Sequence, residues 1–414
     1  RVKMKILIVS ASDIAGGANK AAYRLHRSLL NQGLDSQMLV QNKKSDDYTV
    51  IGARSDLRKI LINPMRPALD HIFMKINNIK TLFSSSYLPF SEIISQINEL
   101  NPDIVHLHWI TGGMIRIEDI SRIKAPLVWS LHDMWPFTGG CHYDQHCGFY
   151  KNKCGSCKVL NSKKENDLSS KVFKRKVSVY PKIKMMDVVA TSQWIAKCAK
   201  ESFLLRDRRV TILPNPIDTN LFSKIDKNIV RDIFGIPKDK TVILFGAMRS
   251  ILDSRKGSRE LFKAINMLDL ENTVFVIAGS SKPKDLPKLK YPVYFIPPLH
   301  DEVSLPLIYN VADVMVVPSI QENLANSIIE SLSCGVPVVA FNIGGNSDMI
   351  EHKKNGYLAE AIIPKDMAFG IEWVLKNNKF QKLSNNSRNK VIKEFDEGVV
   401  SKKYISLYER ILEK

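Results

Sequence analysis

No run of eighteen apolar residues occurs in this 414-residue chain, so no segment reads as a helix able to span a bilayer. The opening stretch Lys5-Ile6-Leu7-Ile8-Val9-Ser10 is too short and too β-branched for the apolar region of a signal peptide, and reads as a buried first strand. The chain has no Asp-x-Asp motif to bind a metal, no repeat of solenoid length and no low-complexity tract. It also lacks a helix-turn-helix, a finger and an RNA-stacking motif, which argues against nucleic acid as a partner. A cytoplasmic location is the expectation, and with it six reduced cysteines unless a metal holds them.

Acidic residues are the scarcer charge: 42 Asp and Glu stand against 60 Lys and Arg, a net charge of +18. The imbalance is concentrated before residue 200 and is densest from Lys151 to Lys184, which contains Lys163-Lys164 and Lys174-Arg175-Lys176. A basic half suits an anionic partner such as nucleic acid, a membrane surface or a phosphorylated substrate; the bland alternative is an ordinary solvated surface. With 44% hydrophobic and 25% charged residues, the composition is that of a globular chain long enough for two domains.

Two stretches open alike. Lys5–Ser10 leads through Ala15-Gly16-Gly17-Ala18 into a helical pattern at Ala22, Leu25, Leu29 and Leu30 that stops near Gly33. Thr241–Gly246 leads through a basic loop into a helix near Leu261–Leu268. Further short apolar runs follow each opening: 104–107, 127–131 and 188–191, then 274–278, 293–296, 314–317 and 336–341. Strands that alternate with helices predict parallel sheets covered on both faces, and two such sets predict two α/β domains. We place the first at 1–200, with a cysteine-rich insert at 141–157, the second at 201–386, and terminal helices at 387–414 that pack back on the first. Residues 54–97, interrupted by Pro64, Pro67 and Pro89, read as irregular amphipathic helix.

The most informative stretch runs from Pro318 to Pro337. A strand ends at Pro318, a loop carries Glu322, and Asn326-Ser327 can cap a helix that bears Glu330 and stops at Cys334-Gly335. A helix N-terminus there would direct free amides and its positive end at an anion, which suits a diphosphate. One carboxylate could then hold sugar hydroxyls and the other ribose hydroxyls. Two glutamates eight residues apart are common by chance; the whole strand, loop, helix and Gly-x-Pro frame is much less so.

This stretch resembles the E-x7-E signature of family 4 of the glycosyltransferases, and the likeness covers nearly the whole chain. Gly16-Gly17 resembles the family's N-terminal glycine loop, and Pro214-Asn215-Pro216-Ile217-Asp218 its P-N-G-I-D turn, with Pro216 in place of glycine. Gly246-Ala247-Met248-Arg249 followed by Lys256-Gly257 is similar to its G-R and K-G element, and Ile343-Gly344-Gly345 with Asp348 to its G-G-x-x-E. The resemblance implies the GT-B fold, two Rossmann-like domains with parallel sheets facing across a cleft. It implies a retaining transferase of hexosyl type that moves a sugar from a UDP- or GDP-sugar to a glycan or lipid-linked saccharide, in surface polysaccharide or O-antigen assembly. Carried onto this chain, the donor would contact Gly16, Gly17, Asn215, Arg249, Lys256, Leu299, Glu322, Asn323, Asn326, Ser327 and Glu330. The catalytic set would be His132, Arg249, Lys256 and Glu322. Arg249, Lys256 and the helix start are residue types that stabilise a departing diphosphate, so no metal is expected at the catalytic site.

Two further features need weighing. His106, His108 and His132 stand at the carboxyl ends of strands, where ligands of parallel sheets bind. A lone histidine there is more often structural, and His132 is the stronger candidate because the family places a histidine at the matching strand end. Cys141, Cys147, Cys154 and Cys157 form C-x5-C-x6-C-x2-C in a hydrophilic loop with no apolar core of its own, which points to a structural zinc. Disulfides, an iron–sulfur cluster and free thiols are the alternatives, and His142 or His146 could replace a thiolate. The basic run, through Lys163, Lys164, Lys174, Arg175 and Lys176, predicts peripheral contact with the anionic inner face of the membrane. Rival readings are a GT-B sugar-nucleotide epimerase or hydrolase, and a non-catalytic basic protein that binds nucleic acid.

Overall fold

Apolar runs with no polar face become strands buried on both sides. In the computed structural model, β4 (Ile104–Leu107), β5 (Leu127–Leu131) and β9 (Thr273–Ala278) are buried at every position. The structure describes residues 4–53, 65–70, 72, 74, 82–89, 92–246, 254–279, 286–299, 301–376, 378 and 380–413. The chain divides into one unit of Arg1–Pro216 with Val400–Lys414 and a second of Ile217–Val399.

The first unit holds a seven-stranded sheet of order β3-β2-β1-β4-β5-β6-β7. Its strands are β1 (Lys5–Ser12), β2 (Asp35–Asn42), β3 (Val50–Gly52), β4, β5, β6 (Met186–Ala190) and β7 (Val210–Ile212), and every pairing is parallel. After β1 the chain enters the helix Gly17–Asn31, whose Ala21, Ala22, Leu25 and Leu29 are buried at helical spacing. Strand order reverses between β1 and β4, and that reversal opens a crevice at the carboxyl ends of the two strands. The helix Glu397–Leu412 covers this sheet through Val400, Tyr404, Leu407, Tyr408 and Ile411, which share a core with Ile6, Ile8, Val128 and Val189.

The second unit holds a six-stranded sheet of order β10-β9-β8-β11-β12-β13. Its strands are β8 (Thr241–Gly246), β9, β10 (Val293–Ile296), β11 (Val314–Val317), β12 (Val338–Phe341) and β13 (Gly356–Ala359), again parallel throughout. Here the order reverses between β8 and β11.

The boundaries differ from the sequence expectation. Residue 200 lies inside the helix Gln193–Glu201, and β7 still pairs with β6 beyond it, so the first unit continues to Pro216. Residue 386 lies inside the helix Phe380–Glu394, which is tied into the second unit: Arg388 donates to the carbonyls of Thr219, Phe222 and Ser333. Within 54–97, the described residues include the helices Arg66–Asp70 and Ile93–Leu100 and a non-helical stretch, 82–89, in which Phe83 bridges Cys141; residues 54–64, 71, 73, 75–81 and 90–91 lie outside the described residues.

Candidate functional site

In the second unit the crevice between β8 and β11 is built from three segments that meet through the backbone. The amide of Ile320 donates to the carbonyl of Arg255 at 2.9 Å, and that of Gly345 to the carbonyl of Asn323 at 2.9 Å. The approach is too close for side chains at two points. A Cβ at Gly257 (φ +71°) would lie 1.8 Å from the Pro318 carbonyl oxygen, and one at Gly344 (φ +52°) would lie 1.7 Å from that of Glu322. Both φ values fall in the left-handed region that glycine occupies without strain.

These contacts hold Glu322 against two cations. Its Oε2 accepts from Lys256 Nζ at 2.6 Å and from Arg255 at 3.2 Å, and Arg255 also donates to the Gln321 carbonyl at 3.0 Å. Burial alone would raise the pKa of this carboxyl. The charges of Lys256 and Arg255 and the hydrogen bond from Lys256 outweigh it and hold the value at about 2. Arg255 was missed from the sequence, although it adjoins Lys256. Arg249 and residues 247–253 lie outside the described residues.

Beyond Glu322 the chain enters the helix Asn326–Ser333. Its N-cap is Ala325, which has no side chain able to cap it, and its first turn holds no acid. The expected cap at Asn326-Ser327 is therefore corrected: both residues already lie within the helix. Asn323 is buried, and Leu299 is half-buried against the same core. Glu330, one turn into the helix, is buried, and its carboxylate accepts the hydroxyl of Tyr309. Tyr309 carried no signal in the sequence, because its partner lies in a separate element.

The first unit repeats the pattern at its own crevice. Gly16 (φ 92°) is the N-cap of Gly17–Asn31, again with no side-chain cap and no acid in the first turn. Asn19 fastens this turn to β1: its Oδ1 accepts from Ser10 Oγ at 2.6 Å, and its Nδ2 donates to the Ala15 carbonyl at 2.6 Å. Asp13, also missed, is buried. Burial would raise its pKa, but the amides of Ile14, Lys44 and Ser45 donate to its carboxylate and hold it below the ordinary carboxylate value. Asn215 is buried in the segment after β7.

The three histidines stack at the ends of β4 and β5. His106 bonds the Tyr408 hydroxyl at 2.7 Å and Ser130 at 2.8 Å, a structural role. His108 Nδ1 and His132 Nε2 lie 2.8 Å apart. Burial drives all three pKa values down, to about 3 for His106, well below 6.5 for His108, and about 4 for His132. The rings are thus neutral at neutral pH, and one of each bonded pair presents N–H to the other. A cavity with room for about one water, lined by His108, Trp109, Thr111, His132 and Asp133, lies there, and His108 Nε2 and Thr111 Oγ1 are buried in the structure without a hydrogen-bond partner.

The cysteine insert departs from expectation in one respect. It has apolar anchorage, since Cys141, Tyr150, Cys157 and Val159 belong to the core of the first unit. Its cysteines are unbridged, and among the described residues no three His, Cys, Asp or Glu side chains stand as a preformed metal-binding group. The basic run is also divided. Lys163, Lys164 and Lys174 are exposed, whereas Arg175 pairs with Glu118 at 2.6 Å and donates to the Ser85 and Ser86 carbonyls. Lys176 is fully buried, with its ammonium on the carbonyls of Trp135 and Thr138 and 3.8 Å from the Trp135 ring. Among the described residues no helix is long and apolar enough to cross a membrane.

Two parallel sheets whose strand order reverses between β1 and β4 and between β8 and β11 define a class, and the chain belongs to family 4 of the glycosyltransferases. The Glycosyltransferase Family 4 profile matches residues 15–221, and the profile of Glycosyl transferases group 1 matches residues 226–393. An uncharacterized glycosyltransferase of Methanocaldococcus jannaschii is 25% identical over 354 residues, covering 79% of this chain and 88% of that protein. A D-inositol 3-phosphate glycosyltransferase of Acidothermus cellulolyticus is 21% identical over 390 residues, covering 86% and 77%. Among solved structures, Anabaena HepE in complex with UDP-glucose superposes with a TM-score of 0.65 at 16% identity, over 98% of this chain and 100% of that one. The fold is GT-B, with two parallel-sheet α/β domains.

Proposed function

We propose that this chain moves a sugar, with retention of anomeric configuration, from a UDP- or GDP-sugar to a glycan or lipid-linked saccharide in surface polysaccharide assembly. The observation that carries the reading is the Lys256–Glu322–Arg255 cluster at the crevice of the second unit, beside the N-terminus of the helix Asn326–Ser333. A diphosphate seated there would meet the helix amides and two cations, the groups that stabilise charge as it develops on the leaving group. Arg249 would add a third, and no metal is required at the phosphates. Glu322, kept ionised by its cations, would accept from sugar hydroxyls. Glu330, oriented by Tyr309, would accept from the ribose. HepE, solved with UDP-glucose, supports a nucleotide-sugar donor.

The acceptor would bind the first unit. His108, Thr111 and His132 stand at the carboxyl ends of β4 and β5, beneath the crevice that would receive it. With His132 neutral, its part is to orient hydroxyls rather than to neutralise charge. Exposed Lys163, Lys164 and Lys174 would hold the protein at an anionic lipid surface that carries the acceptor. Incubation with labelled UDP- and GDP-sugars and a bacterial lipid-linked saccharide extract tests the reading. A labelled glycolipid with the donor's anomeric configuration supports it; hydrolysis or epimerisation of the donor with no transfer, or an inverted product, overturns it.

A further inference from the structure

We propose that His108 is a positioning residue for the transfer: it donates Nδ1–H to Nε2 of His132 and so fixes His132 with its own proton on Nδ1. His132 is then a donor of one hydrogen bond and has no bare nitrogen with which to take up a proton. The role rests on the reading that His132 orients sugar hydroxyls; the pairing of the two rings does not. His108 follows the last residue of β4 and His132 the last residue of β5, strands that pair in parallel. Their facing nitrogens lie 2.8 Å apart, with ring centroids 5.1 Å apart and planes tilted by 27°. That is the separation of two imidazoles joined edge to edge, so the N–H of one points along the in-plane lone pair of the other.

A neutral imidazole carries one N–H, so a bond between Nδ1 of one ring and Nε2 of the other admits two arrangements. Either both rings hold the proton on Nδ1 or both hold it on Nε2. The far nitrogen of His108 decides between them. Among the described residues His108 Nε2 has no hydrogen-bond partner, and it has almost no surface that water could touch. A proton there would make it a buried donor with no acceptor. Orphaned buried N–H groups are rare in folded proteins, and an unfilled acceptor is the more common shortfall. The proton of His108 therefore sits on Nδ1, facing His132. Burial keeps both rings neutral at neutral pH. The charge of Asp133 pulls the other way on His132, but its oxygens are engaged. Oδ1 accepts from the Trp135 amide at 2.8 Å, and Oδ2 from His142 at 2.6 Å and Trp109 at 3.2 Å. Those donors, rather than a second proton on His132, meet the charge of the carboxylate.

The test reads the tautomers directly, by nuclear magnetic resonance of protein labelled with nitrogen-15 at histidine, without substrate. At pH 7 the wild-type chain should show His108 and His132 each protonated on Nδ1, their signals assigned by loss in His108→Asn and His132→Asn. Both rings protonated on Nε2 overturns the proposal, and this result depends on no variant folding. His108→Leu removes the donor and should leave His132 in a mixture of tautomers, with kcat/KM for transfer about tenfold lower. His108→Asn returns an N–H at the place of Nδ1 and should restore the single tautomer, with kcat/KM within about threefold of wild type. Equal loss in the two variants, or an unchanged His132 tautomer in His108→Leu, overturns the positioning role. A wild-type chain that transfers no sugar while its rings show the expected tautomers overturns the proposed function, and the role with it, but not the pairing.

Discussion

Replacement of Glu322 by glutamine keeps the shape of the side chain and removes the charge between Lys256 and Arg255. The carboxyl is buried and held at about 2 against an ordinary 4.5. At about 1.4 kcal/mol per pKa unit, the ionised carboxylate contributes on the order of 3 kcal/mol to the folded second unit. Because the folded value is depressed, this contribution is fully present above about pH 4.5 and is lost as pH falls towards about 2. Hydrogen exchange read on peptides of β8 and β11 follows the second unit apart from the first. At pH 7 the variant should exchange there about 10²-fold faster than wild type, the equivalent of about 3 kcal/mol. The gap should close as pH falls from about 4.5 to about 2, where wild-type Glu322 becomes neutral as well. Equal protection at pH 7, or a gap that does not narrow across that window, would refute the reasoning.

Gly344→Ala places a methyl 1.7 Å from the Glu322 carbonyl oxygen at a left-handed backbone position; it should cost about 2–3 kcal/mol and lower the thermal midpoint of the second unit. Tyr309→Phe removes the hydroxyl that Glu330 accepts; nucleoside diphosphate affinity measured by calorimetry should fall about fivefold to tenfold. Tyr408→Phe leaves buried His106 Nδ1 without its partner; exchange across Glu397–Leu412 should quicken in proportion to about 1–3 kcal/mol.

The sequence shows the central strands plainly and the edges poorly. β1, β4, β5, β8, β9 and β11 are apolar on both faces because helices cover both sides, and such runs stand out. β3, β7 and β13 are three or four residues long at sheet edges and lack the unbroken apolar run, Val293-Tyr294-Phe295-Ile296, by which the edge strand β10 shows itself. β2 was hidden by Asp35, Ser36, Gln37, Gln41 and Asn42, polar residues that a strand next to the centre nevertheless accommodates. In the site, Lys256, Glu322 and Gly344-Gly345 were legible because a resemblance linked them, while Tyr309 and Asp13 act through partners remote in sequence. The basic run was misjudged for a geometric reason: successive helical residues turn by about 100°, so Lys174 faces solvent, Arg175 reaches Glu118 and Lys176 points inward.

Calorimetric titration of the wild-type chain and Glu330→Ala with UDP, GDP, ADP and dTDP tests the central claim, that the crevice of the second unit is built for a nucleotide diphosphate. Saturable binding of UDP or GDP at one site per chain is predicted, with affinity at least about tenfold weaker in Glu330→Ala, the loss of a charge-assisted hydrogen bond. No saturable binding of any of the four, or undiminished binding by the variant, would contradict the account.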